Sequence, residues 1–225
     1  MKKISILLCE DHAIVRQGLC KLLDAEGMFE VVGQAQTGRE AVQLAAKLGP
    51  DVILMDIAMP ELNGLEAARQ ILTATPAARI VMLSAHSDDE YVQSALSVGA
   101  MGFLEKQTSS EILTTALHEV AKGRKFYSPT VAKRLVDGQR RAVNRDGQVK
   151  PNAVRLTSRE TEVLQLVAEG KANKQVAGVL GISIKTVEKH RQHVMDKLNI
   201  HDTAGLTRYA IATGVIESRV QLTIV

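Results

Sequence analysis

Asp51-Val52-Ile53-Leu54-Met55-Asp56 sets four consecutive apolar residues between two carboxylates. Met59-Pro60 and Asn63-Gly64 follow and are typical of turns, so the run is predicted to be a buried strand that ends at Asp56. If the neighbouring strands are parallel, Asp56 lies at the carboxyl edge of a sheet, where open α/β folds place their ligand sites. The function of the chain then depends on which other side chains reach that edge.

Further apolar runs alternate with segments of helical periodicity over residues 1–125. The predicted strands are Ile4–Leu8, Phe29–Ala35, 51–56, Ile80–Leu83 and Gly102–Leu104. The predicted helices begin near Ile14, Arg39, Leu65, Asp89 and Thr108. The last of these opens with Thr108-Ser109-Ser110-Glu111, the pattern of a capping box. Strands that alternate with helices imply right-handed crossovers, so an α/β doubly wound, five-stranded parallel sheet is predicted.

Polar side chains follow the predicted strands where they end. Glu10 and Asp11 follow the first strand, Asp56 ends the third, and Ser84 and Lys106 follow the fourth and fifth. Three carboxylates that lie close together repel one another, and a hard divalent cation with oxygen ligands, such as Mg²⁺, relieves that repulsion. A carboxylate beside a metal ion and an ammonium group can attack a phosphoryl group and then hold it.

Each carboxylate taken alone also has a structural interpretation. Asp11 could cap the first helix, and Asp56 could cap the turn that follows its strand. The combination of carboxylates, a hydroxyl and an ammonium group at several strand ends favours the phosphoryl site.

The pattern also resembles the receiver domain of bacterial two-component response regulators, over about residues 3–125. The residues that carry the resemblance are Glu10-Asp11, Asp56 with Met59-Pro60, Ser84 and Lys106. The resemblance implies the flavodoxin-like receiver fold and a sensor histidine kinase as the phosphoryl donor.

The resemblance assigns roles to individual side chains. Asp56 would be the phosphoacceptor, and the backbone carbonyl of Ala58 would bind Mg²⁺ together with Glu10, Asp11 and Asp56. Ser84 and Lys106 would contact the phosphoryl oxygens. Phe103 matches the aromatic switch position that turns inward when the site is occupied; the alternative is an ordinary core phenylalanine.

Charge and composition divide the chain into two parts. Residues 1–125 hold 12 Lys/Arg and 16 Asp/Glu, whereas residues 126–225 hold 16 and 9, so the first part is acidic and the second basic. A basic module indicates a polyanionic partner such as nucleic acid. Cys9 and Cys20 lack metal-ligand spacing and are interpreted as buried thiols in a reducing compartment. No run approaches the ~20 apolar residues of a membrane span, so a soluble, cytoplasmic protein with no membrane partner is expected.

The middle of the chain is predicted to connect two domains. A short helix is expected over Pro129–Leu135, and residues 137–153 are rich in Gly, Arg, Asn and Gln with almost no apolar periodicity, as in a linker. The predicted organisation is a receiver domain over residues 1–125, a helix and linker over 126–154, and a DNA-binding domain over 155–225.

Residues 156–200 carry the signals of a helix-turn-helix. Thr157-Ser158-Arg159-Glu160 is a capping-box sequence that opens one helix, and Gly170 ends it. A short helix is predicted from about Asn173, and Gly181-Ile182-Ser183 forms a tight turn into a third helix, Ile184–Leu198.

The third helix has an apolar and a polar side at 100° per residue. Its predicted core side carries Ile184, Val187, Val194 and Leu198. On the opposite side, Lys189 and Gln192 could read base edges, and Glu188 could accept a hydrogen bond from cytosine. Lys185 and Thr186 lie near the amino end, where they could contact phosphates. The alternative is a merely solvated helix face. Arg191 falls in the apolar sector and has no assigned role.

Leu156 to Ile200 also resembles the LuxR-type helix-turn-helix. The matching segments are Leu-Thr-x-Arg-Glu at 156–160, Asn173-Lys174 and Thr186-Val187-Glu188-Lys189-His190. With the receiver, nearly the whole chain resembles a response regulator of the NarL/FixJ class. The resemblance implies that Lys174 contacts the DNA backbone and that the third helix enters the major groove. A fourth helix, about Thr203–Thr213, would pair two subunits on paired half-sites of double-stranded DNA.

These patterns predict a phosphorylation-dependent transcriptional regulator that acts as a homodimer. It is expected to be no enzyme beyond its own phosphoryl transfer and autodephosphorylation. One alternative is a phosphohydrolase with an Asp nucleophile, but such hydrolases place a second Asp where Ala58 lies. The other alternative is a regulator that works without phosphorylation.

Overall fold

The first part of the chain alternates strands and helices as its apolar runs predict. The structure, a computed structural model, describes residues 2–85, 89–128, 131–132 and 156–216. The strands are β1 Ile4–Cys9, β2 Phe29–Ala35, β3 Val52–Asp56, β4 Ile80–Ser84, β5 Gly102–Glu105 and β6 Phe126–Tyr127. The helices between them are α1 Ala13–Ala25, α2 Gly38–Leu48, α3 Gly64–Ala74, α4 Asp89–Val98 and α5 Ser110–Ala121.

The strands form one parallel sheet in the order β2-β1-β3-β4-β5-β6. The doubly wound parallel sheet is confirmed, but it has six strands rather than five. The sixth strand has only two residues, too few to show a periodic pattern, and is defined by its pairing with Gly102 and Phe103 of β5. The strand order reverses between β1 and β3, which places a crevice at their carboxyl ends.

Helices cover both faces of the sheet, so the strands are buried on both sides. On one face, side chains such as Ile53, Met55 and Phe103 pack with residues of α2, α3 and α4. On the other face, Leu54 and Leu104 belong to a cluster with residues of α1 and α5. Two apolar layers therefore hold the strand ends in fixed positions.

Several helices begin directly after a polar residue whose side chain caps the first turn. The Thr37 side chain accepts a hydrogen bond from the backbone N–H of Glu40 at the start of α2, and Asn63 caps α3 in the same way. The predicted capping box at Thr108–Glu111 is wrong, because α5 has Ser109 at its N-cap position and no side-chain cap hydrogen bond. That helix start is instead held by its packing on the sheet.

Residues 156–216 of the basic part form four helices: α6 Ser158–Ala168, α7 Asn173–Leu180, α8 Ile184–Leu198 and α9 Thr203–Ala212. The predicted capping box is confirmed, because the Thr157 side chain accepts from the Glu160 backbone N–H and the Glu160 side chain accepts from the Thr157 backbone N–H. Gly181 adopts the left-handed conformation (φ 63°) between α7 and α8, which permits the sharp turn.

The predicted core face of α8 is correct at its centre and wrong at its start. Val187 and Val194 are buried and Leu198 is half-buried, but Ile184 is 44% exposed. Ile184 is the first residue of α8, and the packed part of the domain begins one turn further along, at Val187. Arg191 is also accounted for, since its guanidinium contacts the side chains of Asn173 and Thr203 at the starts of α7 and α9.

The two domains contact each other through α6 on one side and α2 and α3 on the other. Arg39 Nη2 lies 2.9 Å from Glu162 Oε2, and Gln70 Nε2 donates to Glu162 Oε1 at 2.9 Å. The Ser158 hydroxyl donates to the carboxylate of Glu66. A polar network therefore joins the acidic and basic parts.

Several predictions fall outside the described residues. Residues 131 and 132 are helical, but most of the predicted helix at Pro129–Leu135, the linker at 137–153 and residues 217–225 are not described. Of the two cysteines, Cys9 is buried and Cys20 is only half-buried, and both are free thiols. Among the described helices, none has the length and apolar character needed to span a bilayer.

Candidate functional site

The carboxyl ends of β1 and β3 bring two buried carboxylates together. Glu10, which follows β1, and Asp56, the last residue of β3, are both 0% exposed. Lys106, one residue beyond β5, places its Nζ atom 2.9 Å from Glu10 Oε2 and 2.9 Å from Asp56 Oδ2. Because parallel strands end at a common edge, residues far apart in the sequence form one acidic site, defined by Glu10, Asp11 and Asp56.

The environment of Asp56 makes its side chain a weaker acid than an ordinary aspartate. Burial and the negative charge of Glu10 outweigh the ammonium group of Lys106, and together they raise the pKa of Asp56 to about 6. The pKa of Lys106 is raised: burial alone would lower it, but the carboxylates of Asp56 and Glu10 favour the charged ammonium. The site therefore has more negative charge than its one lysine can neutralise.

The oxygen atoms of the acidic site fit a divalent cation. Ligand atoms of Glu10, Asp11, His12 and Asp56 all lie within 4.8 Å of one another. Among the residues that the structure describes, the buried Oδ1 atom of Asp56 has no hydrogen-bond partner. Carboxylate oxygens are ligands that Mg²⁺ prefers, and a buried oxygen without a partner is an open coordination position.

His12 is a neighbour of this site that the sequence patterns did not identify. Its Nδ1 atom lies 2.9 Å from Asp11 Oδ1 and 3.0 Å from Glu10 Oε1, and its side chain is 53% exposed. Its backbone N–H donates to Glu10 Oε1 at 3.0 Å. The only available signal was its position directly after Glu10-Asp11.

The remaining predicted residues of the receiver lie around the same edge. Ser84 is buried at the end of β4, beside Glu105 of β5 in the sheet register. Ala58 is half-buried in the β3–α3 loop, residues 57–63. Phe103 is fully buried in β5 and pairs with Met82 and Tyr127 on either side. It therefore occupies an inward position in this structure.

The predicted DNA-facing side chains are open to solvent. Lys185, Glu188, Lys189 and Gln192 of α8 are all exposed, as is Lys174 of α7. Thr186 is half-buried, and its backbone N–H is capped by Ser183. Within the described parts of the chain, neither the core of the domain nor the receiver covers the outer face of α8.

Two family models match the chain. One, described as the response regulator receiver domain, matches residues 6–118, and the other, described as bacterial regulatory proteins of the luxR family, matches residues 154–210. The chain belongs to the NarL/FixJ class of response regulators. As a response regulator it combines a receiver with a LuxR-type DNA-binding domain in a transcriptional regulator.

This response regulator is similar to known regulators over nearly its whole length. It is 38% identical over 229 residues to the transcriptional regulatory protein DegU of Brevibacillus brevis, with 96% of this chain and 97% of that protein covered. It is 34% identical to the oxygen regulatory protein NreC of Staphylococcus carnosus, with 95% and 100% covered.

Solved structures of another response regulator share its two-domain architecture. The RcsB response regulator of Salmonella typhimurium superposes with a TM-score of 0.58 at 27% identity, covering 94% of this chain and 100% of that one. RcsB in a complex with DNA gives a TM-score of 0.56 at 27% identity, covering 92% and 98%.

Proposed function

We propose that this response regulator binds promoter DNA under the control of phosphorylation at Asp56. The observation that carries the proposal is the buried carboxylate of Asp56, which shares one ammonium group with Glu10 at the carboxyl edge of the sheet. A sensor histidine kinase is the proposed phosphoryl donor, and the cytoplasm is the proposed location.

Mg²⁺ is the proposed cofactor of this site. Carboxylates of Glu10, Asp11 and Asp56 and the backbone carbonyl of Ala58 would hold it, in keeping with the clustered oxygen atoms. When bound, the ion neutralises charge on the transferring phosphoryl group. The ammonium group of Lys106 favours the ionised form of Asp56 and so keeps that carboxylate available as the nucleophile.

Phosphoryl transfer requires little covalent chemistry from the protein. An oxygen of Asp56 forms a bond to phosphorus as the bond from phosphorus to the kinase histidine breaks, and the histidine nitrogen keeps the electron pair and takes up a proton. Lys106 and the hydroxyl of Ser84 contact the phosphoryl oxygens. Water later hydrolyses the acyl phosphate, which releases inorganic phosphate and restores the carboxylate of Asp56.

DNA binding is assigned to the outer face of α8. Lys189, Gln192 and Glu188 would reach base edges in the major groove, whereas Lys185 and Thr186 at the start of α8 and Lys174 on α7 would contact phosphates. All but Thr186 are exposed. Helix α9 is the proposed contact between two subunits, which would bind paired half-sites as a homodimer.

The site and the DNA-binding domain must be coupled for phosphorylation to act as a switch. Phosphorylation adds negative charge and acceptor oxygens where Lys106 and Ser84 can close on them. In this proposal the rearrangement extends to the sheet edge around Phe103 and favours the dimer that binds DNA.

One experiment tests the proposal. Wild type and Asp56→Asn are treated with acetyl phosphate and Mg²⁺, and intact mass and affinity for selected genomic DNA fragments are measured. The expected result is the gain of one phosphoryl group and tighter DNA binding in wild type, with neither change in Asp56→Asn.

Two other outcomes would contradict the proposal. Phosphoryl gain without a change in DNA affinity would favour a regulator that works without phosphorylation. Sustained hydrolysis of added phosphomonoesters would favour the phosphohydrolase.

A further inference from the structure

The β3–α3 loop, which begins directly after Asp56, is held by two side chains of the DNA-binding domain. Gln165 of α6 is 1% exposed. Its Oε1 atom accepts a hydrogen bond from the Asn63 backbone N–H at 2.7 Å, and its Nε2 atom donates to the Met59 carbonyl at 2.9 Å. Glu169 Oε1 accepts from the Glu61 backbone N–H at 2.9 Å and from Gln165 Nε2 at 2.8 Å.

The opposite side of the β3–α3 loop is packed against the receiver itself. A Cβ atom added to Gly38, the first residue of α2, would lie 2.0 Å from the carbonyl oxygen of Leu62. A Cβ atom added to Gly64 would lie 2.0 Å from the carbonyl oxygen of Asp56. The loop therefore has no space to move toward α2 or toward the end of β3.

The backbone of the loop also adopts a costly conformation. Glu61 has a positive φ of 66°, which a residue with a Cβ atom rarely adopts. The backbone N–H of Glu61 donates the hydrogen bond that Glu169 Oε1 accepts. Contacts with the DNA-binding domain thus support a local conformation that the loop sequence alone disfavours.

Phosphorylation requires space at this place. Asp56 is fully buried, and phosphorylation adds three oxygens there and replaces the single carboxylate charge with about two phosphate charges at pH 7. The loop starts one residue beyond Asp56, and it is the segment next to the acceptor that the DNA-binding domain holds. With the inner side closed by Gly38 and Gly64, a shift of the loop is directed toward α6 and against the hydrogen bonds of Gln165.

We propose that Gln165 is a positioning residue for phosphoryl transfer to Asp56: its amide holds the β3–α3 loop closed over the acceptor and slows phosphorylation. The inference rests on the function proposed above. The closed loop also disfavours the phosphorylated state at equilibrium, so phosphorylation in turn weakens the contact between the loop and α6 by the same free energy.

This assignment gives the signal a direct route to the DNA-binding domain. The described hydrogen bonds between the domains all end on α2, the β3–α3 loop or α3 of the receiver. The loop is covalently continuous with Asp56 and touches α6. This contact with α6 is separate from the rearrangement proposed around Phe103 of β5.

The test compares variants of the full-length protein. Gln165→Met keeps the volume and packing of the side chain but removes both hydrogen bonds to the loop. Thr161→Ala is the matched control, since Thr161 lies on the same helix and its hydroxyl bonds only to its own helix start at Thr157 in the described structure. Arg39→Ala weakens the interface at its ion pair with Glu162, away from the loop.

The measurement is the initial rate of phosphoryl gain from acetyl phosphate at saturating Mg²⁺, followed by intact mass, with circular dichroism and melting temperature as checks on folding. If the two hydrogen bonds of Gln165 break before transfer, their removal predicts a rate about fivefold or more above wild type for Gln165→Met. Thr161→Ala and Arg39→Ala are expected to stay within about twofold of wild type.

Three results would overturn the inference while leaving Asp56 as the acceptor. They are an unchanged rate in Gln165→Met, a slower rate in that variant, and an equal acceleration by Arg39→Ala, which would assign the effect to the interface as a whole. Failure of the wild type to gain any phosphoryl group is distinguishable from these, since it would overturn the proposed function itself.

Discussion

The ammonium nitrogen of Lys106 lies 2.9 Å from Asp56 Oδ2 and at the same distance from Glu10 Oε2, so one cation serves two fully buried carboxylates. Removal of Lys106 would leave both carboxylates without that counterion, which is costly in a buried site. For Lys106→Met we expect a loss of about 3 kcal/mol in the free energy of unfolding at pH 7 without Mg²⁺.

Urea denaturation measures this loss, and added Mg²⁺ is expected to restore part of the stability because the ion supplies the missing positive charge. The control is Lys47→Met at the exposed end of α2, which should change stability by less than about 0.5 kcal/mol. Equal losses in the two variants would show that the shared cation has no special role.

The raised pKa of Asp56 predicts a pH-dependent stability in the metal-free protein. With a pKa of about 6 in the folded state and an ordinary value of 3.8, the folded protein binds the proton more tightly than the unfolded chain. Stability is therefore highest below pH 4 for this group and falls as the pH rises through 6.

Asp56→Asn removes that proton equilibrium. We expect the variant to exceed wild type by about 2 kcal/mol in the free energy of unfolding at pH 7, with the difference shrinking toward pH 4. Urea denaturation from pH 4 to 8 without Mg²⁺ measures it. A difference that does not vary with pH would contradict the burial of an ionisable Asp56.

The approach of Gly64 to the end of β3 predicts a large effect of one methyl group. Gly64→Ala would place a Cβ atom 2.0 Å from the Asp56 carbonyl oxygen, so the β3–α3 loop must shift and the protein should lose more than about 2 kcal/mol of stability. Gly18→Ala is the control, because Gly18 lies in α1 with nothing within 4 Å of its added Cβ. It should stabilise the protein by about 0.5–1 kcal/mol. Thermal unfolding of both variants tests the contrast.

The exposed face of α8 predicts two different losses in DNA binding. Lys185→Ala removes a phosphate contact, so affinity should fall uniformly across DNA sequences and the slope of log affinity against log salt should shrink by about 1. Gln192→Ala removes a contact to a base edge, so discrimination between operator variants should fall by about 1–3 kcal/mol at one position. Fluorescence anisotropy with mutated DNA fragments separates the two. Lys47→Ala, on the receiver, should change neither quantity.

The capping box at the start of α6 predicts a local cost. Thr157→Ala removes the acceptor for the Glu160 backbone N–H and should lower the stability of the DNA-binding domain by about 1 kcal/mol. Thr157→Ser keeps the hydroxyl and should lie within a few tenths of wild type. Urea denaturation monitored by helical circular dichroism measures both, and similar losses in the two variants would exclude the cap as the cause.

The sequence predicted the acidic site well because the site depends on strand ends. Buried parallel strands stop where a polar residue reaches the edge, and parallel strands share that edge, so local apolar runs were enough to bring Glu10, Asp56 and Lys106 together. The start and end of α8 followed from equally local signals, the Gly181-Ile182-Ser183 turn and the helical periodicity.

Contacts between distant segments had no local signal. The register of Phe126 against Gly102, the position of His12 over Glu10 and the hydrogen bonds from Gln165 to the β3–α3 loop all depend on how finished elements pack. Side-chain periodicity indicates which face of a helix is apolar, but it does not indicate which distant segment that face will contact. Ile184 shows the same limit, since its sector is apolar but the core begins only at Val187.

The short strand β6 determines where the receiver domain can be truncated. A protein ending at residue 125, the boundary that apolar patterns predict, would lack Phe126 and Tyr127 and leave the backbone groups of Gly102 and Phe103 without their neighbours. A bare edge of a parallel sheet is a template on which another chain can add a strand. Receivers shortened to that length should therefore aggregate, whereas two or three more residues would pair with β5 and leave an edge strand of only two residues.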